Sequence, residues 1–342
     1  KVLELALNNG VDPLTGKQLG PRTGDATKFE SFDELFDAFC KQEEFIVEEL
    51  RKDYAVRWQA DMDHGFQSGL SCALLYKDSI PKGRVPSRGG CKYPQTFTAW
   101  VGDRGTTDVA DALAAIKYLV FENKKLTMEQ LLKAMHANWE GYEDIRHMCL
   151  NAPKYGNDDD YVDEVFKKDI FTTQEIMQSR PDPFTGEKPV LFKGAAAGHI
   201  IHGLHVGALP NGRREGEPLN DAGTSAMPGM DVNGPTALIN SATCDKISWE
   251  TVGNTHNMKF NSDLFDSPEK LKLVLSLLKV FFKRGGWHIQ FNIVNNRDLK
   301  AAQRNPQKYR NLMVRVGGYS AYFVDLPISL QNEIIKRTEH SM

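Results

Sequence analysis

Short apolar segments that alternate with amphipathic helical stretches constrain the fold of this chain most. The segments PVLF (189–192) and LMVRV (312–316) are nearly continuous in apolar residues, and WHIQFNIVN (287–295) alternates well enough for a buried strand. Between them, LKLVLSLLKVFFK (271–283) has the spacing of a helix with one apolar face. This mixture predicts an α/β architecture.

Residue types that favour helix starts, strands or loops predict where several elements lie. Ser267 and Pro268 predict a helix start, because serine suits the N-cap and proline the first position. Ser31 with Glu34 predicts a capping box for a helix that runs to about residue 53, and Asp108 is predicted to cap another helix. Residues 187–260 carry short apolar pieces, including GHIIHG and TALINS, between glycine-rich loops, and we predict strands and loops there.

The net charge argues against some classes of partner, and the cysteine content indicates the cellular compartment. The 342 residues include 42 Lys and Arg against 45 Asp and Glu, so the net charge of −3 gives no global field for nucleic acid or an anionic membrane. The longest apolar runs fall short of the roughly 18 residues that a membrane span needs. Five cysteines, an odd number without close pairs, are typical of a reducing compartment. We therefore predict a cytoplasmic protein that binds neither nucleic acid nor membrane.

Clusters that resemble metal or phosphate sites have ordinary explanations. His199, His202 and His205 recur at steps of three, which brings all three side chains together neither on a helix nor on a strand. The acidic run 157–164 lacks the spacing of a calcium loop, and residues 194–198 lack the Lys-Ser/Thr pair of a phosphate loop. We predict no metal site, and a structural or pocket-lining role for the histidines.

A double glycine near the C-terminus allows two interpretations. Gly317 and Gly318 separate an apolar strand from an aromatic run, which is typical of a tight turn. A glycine Cα is also sterically accessible, and a radical formed there is delocalised over the flanking amide nitrogen and carbonyl. The residues alone favour the turn and leave the radical open.

The segment around these glycines resembles the signature of the glycyl radical enzymes, the family of pyruvate formate-lyase, the diol dehydratases and choline lyase. The signature comprises Arg315, Val316, Gly317, Gly318, Tyr319, Ser320 and Ala321. LELALNNG (3–10), NAPKYGNDDDYVDEVF (151–166) and GPTALINS (234–241) also resemble family segments in the expected order. The resemblance implies the C-terminal part of a ten-stranded α/β barrel surrounded by helices, with a radical loop near the barrel centre. It further implies a barrel portion over 1–290 and a glycyl radical domain over 291–342.

The resemblance also implies a cofactor and partners. The glycine before the aromatic residue, here Gly318, would carry the radical, which a separate activating enzyme with S-adenosylmethionine and an iron-sulfur cluster would install. The radical would then act on a cysteine from another loop. The sequence context of all five cysteines differs from that loop, so we expect it in an N-terminal part of the same enzyme. Accessory subunits and a homo-oligomer complete the expected partners.

Aromatic residues in one loop suggest the reaction. Phe97 and Trp100 would give an apolar pocket wall, and this loop with GGWHIQFNIV (285–294) resembles the branch that adds hydrocarbons to fumarate. The expected function is therefore radical addition of a hydrocarbon to fumarate, with Trp100 in the substrate pocket or, equally, in the core. A glycyl radical decarboxylase, a diol or amine lyase, and a noncatalytic radical-carrying subunit remain alternatives. A Gly-Cys-Val-Glu cysteine loop would favour the lyases, because its glutamate serves as a base.

Overall fold

Helices dominate the protein, and short strands lie between them. The computed structural model describes residues 1–63, 73–83, 99–101, 105–181, 188–192, 194, 197–244 and 254–341. Its helices are α1 (Val2–Leu7), α2 (Phe32–Asp63), α3 (Ser79–Lys82), α4 (Thr106–Ile116), α5 (Met128–His136), α6 (Glu143–Asn151), α7 (Asp160–Gln178), α8 (Gly198–Gly203), α9 (Pro235–Ala242), α10 (Pro268–Lys283), α11 (Asn296–Arg304) and α12 (Ile328–Lys336). Within the described residues, each helix is too short or too polar to cross a membrane.

Across the described residues the strands form three small sheets, two of them parallel. The strands are β1 (Ala99–Val101), β2 (Val190–Phe192), β3 (Thr255–Phe260), β4 (His288–Ile293), β5 (Met313–Arg315), β6 (Ser320–Tyr322) and β7 (Glu339–His340). β1 pairs with β2, and β3 lies between β4 and β7, all in parallel. β5 and β6 form an antiparallel hairpin. The parallel pairs separated by helices agree with the predicted α/β architecture.

The main hydrophobic core lies among the helices. Apolar side chains of α4 pack against those of α7, and the ring of Tyr155 lies 4.5 Å from that of Phe166. Asp159 caps α7 by accepting a hydrogen bond from the Tyr161 amide, so the acidic run supplies a helix cap. Helix α10 begins after Ser267, whose hydroxyl accepts from the Lys270 amide, as predicted.

A second, smaller core lies in the last fifty residues. It contains Val294, Leu299, Ala302, Val314, Val316, Phe323, Leu330 and Ile334. The antiparallel hairpin therefore packs on α11 and α12 through its own apolar residues. A separate core is what a domain over 291–342 requires, although the boundary between residues 290 and 291 stays a prediction.

Several local predictions are wrong. GHIIHG and TALINS lie in α8 and α9, because short apolar runs between glycines suit a buried helix as well as a strand. Asp108 does not cap α4 but lies in its first turn, fully buried, where it accepts hydrogen bonds from Asn211 and Asn220. Helix α2 runs ten residues further than predicted, to Asp63.

Candidate functional site

The double glycine forms the two-residue tip of the β5–β6 hairpin. Arg315 pairs with Ser320, and the Val316 amide donates to the Tyr319 carbonyl at 2.9 Å, so that only Gly317 and Gly318 connect the strands. Gly318 has a φ of +80°, in the region that favours glycine. Gly317 is buried and Gly318 is exposed. The predicted strand break at the double glycine is confirmed.

The other signature residues fix this hairpin rather than surround a pocket. Val316 is buried in the second core, and Ala321 pairs with Val314 across the hairpin. The Tyr319 side chain is exposed. The structure thus brings together all the signature residues. Trp100 lies in β1, but its side chain lies outside the described residues, as does Phe97 entirely.

A buried polar face of the β3–β4 pair supports the hairpin. Asn257 pairs with Gln290 and Lys259 with Asn292, and because side chains alternate along a strand, all four lie on one face. Each is less than a tenth exposed. Buried polar side chains need hydrogen-bond partners, and the hairpin and α12 provide many of them.

Two side-chain amides on β4 bind the backbone of the hairpin. Asn292 Oδ1 accepts from the Arg315 amide at 2.7 Å, and its Nδ2 donates to the Arg315 carbonyl at 2.6 Å. Gln290 Oε1 accepts from the Gly318 amide at 3.0 Å and also from Arg315 Nε. Neither residue was predicted from the sequence. The signal was their alternation with Ile289 and Phe291, which marks a polar face on an otherwise apolar strand.

An ionic network holds the hairpin from its other side. Arg337 Nη2 donates to the Val316 carbonyl at 3.1 Å. The same guanidinium forms two hydrogen bonds to Glu333, at 2.8 and 2.9 Å, and lies 2.9 Å from Asp221 Oδ2. Bidentate contacts of this kind fix orientation as well as charge. Arg337, which the sequence analysis also missed, therefore links the hairpin to α12 and to the loop at residue 221.

The charges in this network are mutually compensated. Burial acts to raise the pKa of Glu333, but the charge of Arg337 and hydrogen bonds from His199 and Arg337 lower it to about 2. Burial lowers the pKa of Lys259 to about 8, although the charge of Glu339 acts in the opposite direction. Lys259 Nζ donates to the Ile334 and Ile335 carbonyls at the end of α12. Lys259 thereby holds the C-terminal end of α12, and Arg337 is the next residue along the chain.

The three histidines of residues 199–205 and a nearby buried arginine lie outside the hairpin. His199 is buried 3.4 Å from Glu333, whereas His202 and His205 are exposed. Arg213 is fully buried and donates to backbone carbonyls of its own loop, including those of Gly203 and Gly207. Within the described ranges no group of three or more His, Cys, Asp or Glu side chains is arranged to hold a metal ion.

Comparison with known families identifies this arrangement. Residues 1–191 match the family described as pyruvate formate lyase-like, and residues 221–324 match the glycine radical domain. The chain belongs to the glycyl radical enzymes. The second match includes the hairpin and its double glycine, so the family resemblance seen in the signature is confirmed. The cofactor of this family is a glycyl radical.

Curated relatives and solved structures agree with the assignment. The chain is 41% identical to trans-4-hydroxy-L-proline dehydratase of Clostridioides difficile and 36% identical to isethionate sulfite-lyase of Bilophila wadsworthia, over 100% and 99% of its length. It spans about two fifths of the length of each relative. The B12-independent glycerol dehydratase of Clostridium butyricum matches with a TM-score of 0.87 at 33% identity, over 100% of this chain and 42% of that one. The α/β barrel fold of the family is confirmed.

These relatives overturn the predicted reaction. They are a dehydratase acting on hydroxyproline, a sulfite-lyase and a glycerol dehydratase, whereas the sequence analysis predicted hydrocarbon addition to fumarate. That prediction is wrong. Its basis was an aromatic loop at Phe97 and Trp100, and aromatic side chains serve polar pockets and cores as readily as apolar pockets. Lyase chemistry, which the sequence analysis kept as an alternative, agrees with the relatives.

Proposed function

We propose that this chain is the radical-carrying part of a glycyl radical dehydratase or lyase, and that Gly318 holds the unpaired electron. The observation that carries the proposal is the hairpin tip. Gly318 lies exposed there, in the segment that matches the glycine radical domain.

The residues around Gly318 fit a stored radical. Gly318 has no side chain to shield its Cα hydrogens and is exposed at the tip. The chain just before it is held by Asn292 through the Arg315 backbone and by Arg337 through the Val316 carbonyl. When installed, the radical supplies a store for one unpaired electron within the backbone. These residues keep the hairpin backbone next to Gly318 in a constant position.

The relatives support bond cleavage in a small polar substrate as the reaction. Three relatives, two dehydratases and a sulfite-lyase, act on hydroxyproline, glycerol and isethionate. All three substrates are small, polar and hydroxylated, and each reaction removes water or sulfite. We therefore place this chain in an enzyme that cleaves a C–O, C–N or C–S bond in such a substrate.

The proposed activity requires partners beyond these 342 residues. We propose that the cysteine that reacts with the substrate comes from an N-terminal part of the same enzyme, since the curated relatives are more than twice as long. An activating enzyme that uses S-adenosylmethionine would install the radical. The domain over 291–342, with its own core, is the part that we expect this enzyme to engage.

The radical assignment is tested by electron paramagnetic resonance. Anaerobic incubation with an activating enzyme should give an organic radical signal with doublet splitting in the wild-type protein. Gly318→Ala should abolish the signal, because alanine is strained at this φ and its Cα is more shielded. Gly317→Ala is the matched control and should keep a signal. A doublet that survives in Gly318→Ala would contradict the assignment.

The reaction class is tested with a substrate panel. The activated full-length enzyme should release water or sulfite from at least one small hydroxylated substrate, with trans-4-hydroxy-L-proline, isethionate, glycerol and 1,2-propanediol as the first candidates. Product formation is measured by mass spectrometry, with Gly318→Ala as the inactive control. Turnover that is equal in the two proteins would show that the reaction does not depend on the radical.

A further inference from the structure

The hydrogen bond between Gln290 and Gly318 fixes one amide plane at the hairpin tip. Gln290 Oε1 accepts from the Gly318 amide at 3.0 Å and from Arg315 Nε. Both partners are donors without acceptor capacity, so the oxygen of the Gln290 amide must face them. Gln290 is also 93% buried, with 7% of its surface exposed, which limits the rotamers it can adopt. The Gly317–Gly318 amide is therefore held in one orientation.

The chain beyond Gly318 is held independently. The Val316 amide donates to the Tyr319 carbonyl at 2.9 Å, and Arg315 pairs with Ser320 in the hairpin. The backbone on both sides of the N–Cα bond of Gly318 is thus anchored. Rotation about that bond requires one of these two anchors to release.

The resulting φ of +80° opposes radical formation. A Cα radical gains delocalisation into the preceding amide only when the Cα–H bond that breaks stands perpendicular to the amide plane. At +80° the bond that stands nearly perpendicular to that plane is Cα–C, so neither Cα–H bond is aligned. Removal of a hydrogen atom in this conformation would produce a radical with little stabilisation from that amide.

We propose that Gln290 is a positioning residue that restrains Gly318 in this unreactive conformation, and that its hydrogen bond to the Gly318 amide must release before a radical forms there. The proposal rests on the proposed function of Gly318. It adds that the resting hairpin is restrained against activation, and that a buried side chain on β4, outside the glycine-radical signature, sets the rate. Gln290 itself exchanges no atom with Gly318.

The test measures how fast the radical signal appears under anaerobic activation. Gln290→Met removes the acceptor at nearly constant volume, and Gln290→Glu keeps an acceptor for both donors. Because the restraint on the Gly318 amide is worth one net hydrogen bond, Gln290→Met should activate roughly two- to tenfold faster than wild type. Gln290→Glu should activate at the wild-type rate or more slowly. A purely structural role would instead lower the yield of radical without accelerating its formation.

A matched control separates this effect from the loss of any buried glutamine. Gln331 is 4% exposed and donates to the Leu326 carbonyl at 2.8 Å, away from the hairpin tip. Gln331→Met should therefore activate at the wild-type rate. Equal rates in Gln290→Met and wild type, or a slower rate in Gln290→Met, would overturn the inference. Absence of any radical in the wild-type protein would instead contradict the proposed function, so the two failures are distinct.

Amide hydrogen exchange gives a second readout that needs no activation. The Gly318 amide should exchange faster in Gln290→Met than in the wild-type protein, and at the wild-type rate in Gln290→Glu and Gln331→Met. Unchanged exchange at Gly318 in a folded Gln290→Met protein would overturn the inference, because the amide would then be protected by something other than Gln290.

Discussion

Two buried carboxylates show how differently the main core around α7 and the β5–β6 hairpin are stabilised. Asp163 on α7 and Glu333 on α12 are both less than a tenth exposed. Burial and the charges of nearby aspartates raise the pKa of Asp163 to about 7, although Ser241 donates a hydrogen bond to it. Glu333 is shifted in the opposite direction, to about 2, because Arg337 and His199 outweigh its burial.

The two pKa shifts differ because the two regions are stabilised by different kinds of contact. Around Asp163 the helices pack through apolar side chains, and the carboxylate is a charge without full compensation. Around Glu333 a compensated ion pair continues directly to the Val316 carbonyl of the radical hairpin. The main core around α7 thus depends on packing, whereas the hairpin combines the second core with polar contacts at its tip that can release without opening a core.

Removal of Arg337 should have the largest effect of the changes considered. Arg337→Met leaves Glu333 and Asp221 buried without their cation, so the free energy of unfolding should fall by about 3–5 kcal/mol. Lys336→Met is the matched control, since Lys336 forms an exposed ion pair with Glu217 and should cost about 0–1 kcal/mol. Urea denaturation at pH 7 measures both. Equal losses would contradict the buried network.

Acid should weaken the hairpin region through Glu333. Its folded pKa of about 2 lies below the ordinary value of 4.5, so its stabilisation is complete above pH 4.5 and is lost as the pH falls towards 2. The loss should be on the order of 3 kcal/mol in this window. Urea midpoints across acidic pH measure it, with Glu333→Gln as the variant that should lack this dependence. A parallel decline in both proteins would assign the acid sensitivity to other groups.

Asp163 should give the free energy of unfolding a pH dependence of opposite sign to that of Glu333. Its folded pKa of about 7 lies above the ordinary value of 3.8, so stability is lost as the pH rises from about 4 to 7. Asp163→Asn should therefore raise the free energy of unfolding by on the order of 4 kcal/mol at pH 8 and change it little below pH 4. Denaturation at the two pH values measures the difference. Destabilisation at pH 8 would show that the charged form is favoured.

Asn292 should have the smallest global effect and a clear local one. Asn292→Leu removes two hydrogen bonds to the Arg315 backbone, which should cost about 1–2 kcal/mol. Amide exchange at Arg315 should become faster while the amides of α7 keep their protection. The control is Asn311→Leu, an exposed asparagine ahead of β5, which should stay within about 0.5 kcal/mol of wild type. Unchanged exchange at Arg315 would contradict the role of Asn292.

Local chemistry explains which parts of the fold were predictable. The start of α10 followed from Ser267 and Pro268, and the hairpin tip from the double glycine, because these residues determine backbone conformation within one turn. GHIIHG and TALINS were assigned wrongly, since apolar runs of this length fit either a helix or a strand. Only tertiary packing decides between the two.

The candidate site was predictable only in part. Gly318 and its neighbours were identified by a contiguous signature. Gln290, Asn292 and Arg337 lie outside that signature and reach the hairpin from other elements. The alternation of polar and apolar residues on β4 indicated a polar face, but it did not identify the elements that pack against that face. The reaction was predicted wrongly because it depends on the whole pocket, whereas the prediction used aromatic residues, which serve polar and apolar sites alike.

The position of the radical is the central claim, and the site of oxygen cleavage tests it most directly. Air exposure of the anaerobically activated protein should cut the backbone at Gly318, and mass spectrometry should detect the short C-terminal peptide that follows it. Gly317→Ala should give the same fragment, and Gly318→Ala should stay intact. A fragment that ends at another residue, or an intact chain after a measured radical signal has disappeared in air, would contradict the assignment to Gly318.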